Sequence, residues 1–77
     1  TPQVVSLLML LDRDMNRTEI QAGLQLHDRE NIRLAYIQPA LKLGLIEMTI
    51  PDKPNSRLQK YRLTQLGKET KEALKSQ

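Results

Sequence analysis

The chain has 77 residues, 27% of them charged and 39% hydrophobic, with no Cys, Trp or Phe and two Tyr. A chain this short folds as one small domain that buries only about 60% of its unfolded surface, and without cysteine it has neither a disulfide framework nor a thiolate metal site to add stability. The formal charge of +3 is uneven: residues 1–41 carry four basic and five acidic side chains, residues 42–77 eight and four, so the positive field that favours a polyanionic partner belongs to the second half.

The longest apolar runs, Leu7 to Leu11 and a few residues around Leu45, are far short of the ~20 residues that span a bilayer. The N-terminus has no basic segment followed by a small-residue cleavage site, so the expected location is cytoplasmic and no membrane partner is expected.

Thr1 and Pro2 read as a helix start, with Val4, Leu7, Leu8 and Leu11 as a stripe of period 3.6. Asp12 to Asn16 is a polar break. Thr18 and Gln21 then form a T-x-x-Q capping box ahead of a short helix carrying Ile20, Ala22 and Leu24, and Leu26 closes the following turn into the core.

Asp28 is the next N-cap, and Ile32, Ala35, Tyr36 and Leu43 fall on one face of a third helix. Ile37 and Leu41 lie off that stripe. Pro39 cannot donate to the hydrogen-bond ladder, so a kink or break is expected near Gln38, and Gly44 ends the helix.

The period then changes to two. Residues 45–50 and 59–64 read as strands with Ile46, Met48, Ile50, Tyr61 and Leu63 inward. They flank a loop, 51–58, rich in turn residues, which gives a hairpin with a long tip. Thr64 caps a last helix containing Leu66, Thr70, Ala73 and Leu74, with Lys68, Lys71 and Lys75 on its polar side and fraying beyond Lys75.

The expected fold is therefore mainly α with a small β-hairpin (α+β): a winged helix-turn-helix of three helices, a two-stranded wing and a C-terminal helix. It forms one domain over 1–77 with no internal repeat or linker.

In such folds the second helix of the motif enters the major groove, about 12 Å wide, and the hairpin reaches phosphates or the minor groove beside it. Arg29 and Arg33, with Glu30 and Leu34, face away from Ile32 and Tyr36, and both arginines suit guanine edges or phosphates. The alternative is that they pair along the helix with neighbours such as Glu30, or are simply solvated.

On the hairpin, Lys53, Arg57, Lys60 and Arg62 fall within ten residues opposed only by Asp52, with Asn55 and Ser56 as neutral donors at the tip. This is a phosphate-facing wing, or else a set of charges and prolines that keeps an exposed hairpin from pairing edge to edge. The expected DNA-contact residues are Arg29, Arg33, Lys53, Asn55, Ser56, Arg57 and Lys60.

His27 stands alone beside Asp28, with no Cys, second His or oriented Ser to complete a metal site or dyad, and reads as a turn residue. Three glycines in the whole chain leave no phosphate-cradling loop. No catalytic residues, metal or cofactor are expected in this segment.

The residues Asp28-Arg29, Ile32-Arg33, Tyr36-Ile37, Pro39-Ala40-Leu41 and Gly44 to Glu47, then Thr49-Ile50-Pro51-Asp52-Lys53-Pro54, Ser56, Gln59 to Thr64 and Gly67, closely resemble the C-terminal winged-helix domain of bacterial Fic-family proteins. A similar domain ends many RecG-related regulators with a divergent ATP-binding module, where a stretch like Thr1-Pro2-Gln3-Val4 often precedes it.

The resemblance implies a C-terminal accessory domain of a larger bacterial protein, with a regulatory or DNA-binding role and duplex DNA as partner. Fic enzymes transfer AMP to hydroxyl groups with a His-Pro-Phe-x-x-Gly-Asn-Gly-Arg type of motif, which does not occur in these residues, so that activity would belong to another part of the parent. The competing expectation is a protein-docking or dimerisation module, facing the parent's own N-terminal domain or a second copy through Leu8 and Leu10 of the first helix.

Overall fold

The computed structural model describes residues 2–76; the capping role expected of Thr1 falls outside them. The order is α1 (Pro2–Leu10), α2 (Arg17–Leu24), α3 (Arg29–Asn31), a π-helical segment (Ile32–Ile37), α4 (Gln38–Lys42), β1 (Ile46–Met48), β2 (Tyr61–Leu63) and α5 (Gln65–Lys75). This is a mostly helical, small α+β winged-helix-like domain. Helix α1 packs against α2, the π segment and α5.

The aliphatic core draws on every element except α3, with Leu74 packed against it from α5. Leu7, Leu8 and Leu11 meet Ile20, Ile32, Ile37 and Ala40, and are closed off by Leu45, Ile46 and Tyr61. Leu8 is buried, so it offers nothing to a partner; the exposed large apolar residues of α1 are instead Val5 and Met9.

The polar break expected at 12–16 contains one buried apolar residue, Met15, which pairs with Tyr61 as a bridge. Its N–H donates to the Tyr61 carbonyl at 3.0 Å and its carbonyl accepts the Tyr61 N–H at 2.8 Å. A lone apolar residue among charges shows no period, so periodicity does not detect it.

The cap of helix α2 lies two residues before the expected one. The capping box is Asn16 with Glu19, not Thr18 with Gln21: the Asn16 side chain accepts the Glu19 N–H at 2.8 Å, and the Glu19 carboxylate accepts the Asn16 N–H at 3.0 Å. Two boxes compete here, and the earlier one satisfies both orphan donors while adding about half a turn to a short helix. The Asn16 N–H, then the Arg13 and Lys60 cations, hold the Glu19 carboxyl below its ordinary range.

The same helix ends with Gln25 in the left-handed region at φ 58°, where its N–H reaches Ala22 and that of Leu26 reaches Gln21. A side chain in that conformation costs roughly 1 kcal/mol. Gln25→Gly is therefore expected to stabilise the domain by about 0.5–1 kcal/mol, read as a raised denaturation midpoint at an unchanged slope. A lowered midpoint would contradict the cap geometry.

Asp28 caps α3 as expected, its Oδ1 accepting the N–H groups of Glu30 and Asn31 at 3.0 and 3.2 Å. The irregularity expected near Gln38 takes the form of a change from π-helical to α-helical hydrogen bonding at that residue, with Ile37 and Gln38 both keeping right-handed helical dihedrals. Pro39 has no N–H, and the chain responds just before it with i→i+5 hydrogen bonding, in which the Gln38 N–H donates to the Arg33 carbonyl. A π turn holds one more residue than an α turn. That extra residue rotates the later positions, burying Ile37 and Ala40 while Tyr36 is half-buried and Leu43 is 58% exposed.

Gly44 at φ 74° terminates the rod, with its own N–H on Leu41 and that of Leu45 on Ala40. These are the two hydrogen bonds of a Schellman end, and buried Leu45 and Ala40 supply its apolar contact.

The hairpin is antiparallel with Ile46 opposite Leu63, Glu47 opposite Arg62 and Met48 opposite Tyr61. Thr64 caps α5, its Oγ1 accepting the Gly67 N–H at 3.0 Å and donating to the Gly44 carbonyl at 2.6 Å.

Lys71 does not lie on the polar side of α5. It is buried, and its Nζ donates to the Leu11 carbonyl at 2.8 Å, where it satisfies an orphan carbonyl and complements the negative end of the α1 dipole.

Candidate functional site

The 51–58 loop is a run of tight turns. The N–H of Lys53 donates to Ile50, that of Ser56 to Lys53 and that of Gln59 to Ser56, at 3.1, 3.0 and 3.0 Å. Ser56 Oγ also accepts the Leu58 N–H at 3.1 Å.

Gln59 locks this chain of turns from inside. It is buried, its Oε1 accepts the Ile50 N–H at 2.9 Å, and its Nε2 donates to the carbonyls of Ile50 and Lys53. The period-two pattern that turns Tyr61 and Leu63 inward turns Gln59 inward as well, so a polar residue at an inward strand position was the available signal.

Between the locked tip and the helices lies a groove of about 420 Å³. Asn16, Arg17 and Thr18 contribute from the start of α2, Arg29 from the start of α3, Pro54, Asn55, Ser56 and Arg57 from the wing tip, and Gln59 and Tyr61 form the floor. Four residues expected at the DNA face, Arg29, Asn55, Ser56 and Arg57, are thus brought together.

Arg17 was not anticipated. It becomes the first residue of α2 only once Asn16 is the cap, so the misplaced capping box also hid a site residue.

The other three expected contacts lie elsewhere. Arg33 pairs with Glu30 at 2.9 Å, the alternative its spacing had left open. Lys60 acts on Glu19 electrostatically and does not line the groove, and Lys53 contributes its backbone to the loop lock while its ammonium stays exposed.

The distribution of ion pairs defines the site's electrostatics. Glu30 takes Arg33, Glu47 takes Arg62 at 2.6 Å, Glu72 takes Lys75, and Asp12 and Glu19 share Arg13. Among the described residues Arg17, Arg29 and Arg57 have no such carboxylate partner, and no Asp or Glu lines their groove. Three guanidiniums on three separately anchored segments, with amide and hydroxyl groups between them, present the kind of donor chemistry that suits phosphate oxygens.

A second concavity, by the end of α1, β2 and α5, mixes Asp12, Asp14 and Glu72 with Arg62, Lys68 and Lys75, and its field is correspondingly divided.

Residues 2–64 match the family model described as Filamentation induced by cAMP protein Fic-like, C-terminal domain. The chain belongs to this family. The Fic-like domain also matches, with a TM-score of 0.80 and 35% sequence identity, the crystal structure of a Fic family protein from Desulfovibrio desulfuricans G20. The match covers 84% of this chain and 20% of that one, so the Fic-like domain spans about a fifth of the length of the protein it resembles. No curated protein matches it.

The groove-forming segments, from Asn16 through Tyr61, all fall inside the family match. Among the described residues, no helix is long and apolar enough to cross a membrane.

Proposed function

We propose that this domain is a non-catalytic accessory module of a larger Fic-type protein of the cytoplasm, and that it binds duplex DNA across the groove between the wing tip and the starts of α2 and α3. One observation carries the reading: the arginines free of ion pairs on α2, α3 and the wing converge on a single groove without carboxylates. A phosphate in that groove meets cations from three directions, while the rod from Arg29 to Lys42 lies alongside as the element to enter the major groove.

Phosphate contacts of this kind position the protein and make affinity depend steeply on salt. Fluorescence anisotropy with a labelled duplex of random sequence at low salt tests the reading. Binding is expected for the native domain, with loss of at least about ten-fold for Arg57→Glu/Lys60→Glu and the fold retained by circular dichroism. A folded double variant that binds as tightly as the native domain would rule out the wing as a contact.

A further inference from the structure

The arginine groove accounts for phosphate binding but not for the outer surface of the rod that runs on from it. Glu30, Leu34, Gln38 and Lys42 recur there at every fourth position and all are exposed. Leu34 is 54% exposed, and Leu34, Gln38 and Lys42 border one open concavity with Pro39 and Leu41. The π turn helps create this surface, because the residue it inserts takes Ile37 into the core and leaves Gln38 outside.

The composition of the stripe is selective. Arginine is the usual reader of guanine, yet Arg33 is tied to Glu30 at 2.9 Å and Arg29 faces the wing groove. Between Glu30 and Lys42 the stripe presents the primary amide of Gln38, which has no side-chain hydrogen bond among the described residues, beside the exposed aliphatic carbon of Leu34. In the major groove an amide forms two hydrogen bonds with adenine N6 and N7, and aliphatic carbon packs on the thymine methyl group.

We infer that, resting on the DNA-binding reading above, the rod reads A·T base pairs, with Gln38 contacting adenine and Leu34 the methyl group of a thymine.

A pool of duplexes with a randomised core, selected on the native domain and sequenced, tests this. Enrichment of A·T pairs is expected, with adenine favoured about ten-fold at one position. Gln38→Glu removes the donor for adenine N7 and leaves acceptors that suit the cytosine amino group, so the preferred base at that position should change to cytosine. Leu34→Ala should lower the thymine preference at a neighbouring step.

Arg57→Glu weakens binding to every sequence alike and leaves the motif unchanged. Binding without A·T enrichment, or an adenine preference that survives Gln38→Glu, overturns the base-reading inference alone. Failure to bind any duplex overturns DNA binding as well.

Discussion

Gly67→Ala is expected to cost on the order of 3 kcal/mol, near the upper end of what overpacking a core usually does, and so to lower the melting temperature by about 15 °C in a domain of this size. A Cβ at this position would stand 1.9 Å from the Leu45 carbonyl oxygen and 3.0 Å from its carbon. The obstacle is backbone and cannot turn aside.

That carbonyl is itself fixed, because it accepts the Thr64 N–H at 3.1 Å, while Thr64 Oγ1 holds the Gly67 N–H and donates to the neighbouring Gly44 carbonyl. The first turn of α5 and the end of the α4 rod therefore form one joint, and Gly67 is its point of closest approach.

Gly44→Ala is the useful comparison. Nothing lies within 4 Å of a Cβ there, and the penalty comes only from φ 74°, roughly 1 kcal/mol. Thermal denaturation of both variants should place Gly67→Ala well below Gly44→Ala. The reverse order would mean that α5 is not seated on Leu45.

Gln59→Leu should have the second largest effect, about 2 kcal/mol of stability. The substituted side chain fits the volume but makes none of the three hydrogen bonds. The carbonyls of Ile50 and Lys53 keep the N–H groups of Lys53 and Ser56 as partners, whereas the Ile50 N–H has only Gln59 Oε1. Its desolvation then goes uncompensated.

The nearly isosteric Gln59→Glu should not rescue the loop, since a carboxylate still accepts from Ile50 but cannot donate to either carbonyl. Amide exchange at Ile50 and across the wing should quicken in both variants, and DNA affinity should fall because Arg57 is no longer held over the groove. Unchanged protection at Ile50 would show that the lock is dispensable.

Much of this architecture was legible in the sequence, and the reasons differ by element. The Asp28 cap, the Gly44 stop and the change of period from 3.6 to two are local signals with local causes, and each appears where expected. The inward set Ile46, Met48, Tyr61 and Leu63 agrees with the observed pairing, in which Ile46 faces Leu63 and Met48 faces Tyr61.

What escaped were consequences of tertiary contact. Met15 joins the sheet edge through backbone bonds to Tyr61 that no pattern of side chains announces, and Lys71 is drawn inward by a carbonyl sixty residues away at the end of α1. The π turn follows from Pro39 by a route that periodicity cannot choose, because a kink, a break and one inserted residue all answer the missing N–H.

The site was half visible. Residue type and hairpin position pointed to Arg57, Asn55 and Ser56, and helix position to Arg29. Which cations remain unpaired depends on how carboxylates are apportioned in space, and that apportionment withdrew Arg33 behind Glu30 and directed the Lys60 field onto Glu19 while leaving Arg17 open to the groove.

Duplex binding through the groove requires Arg17, Arg29 and Arg57, which line it together, to act jointly on phosphate. The decisive measurement is the slope of log affinity against log salt concentration for duplex DNA, taken on the native domain and on Arg17→Ala/Arg29→Ala/Arg57→Ala. Each phosphate contact removed should reduce the magnitude of the slope by about 0.9, so the triple variant should have a slope smaller by one to three such steps and weaker binding at every salt concentration. An identical slope in the folded triple variant, or no salt-dependent binding by the native domain, would contradict the groove as a DNA-binding site.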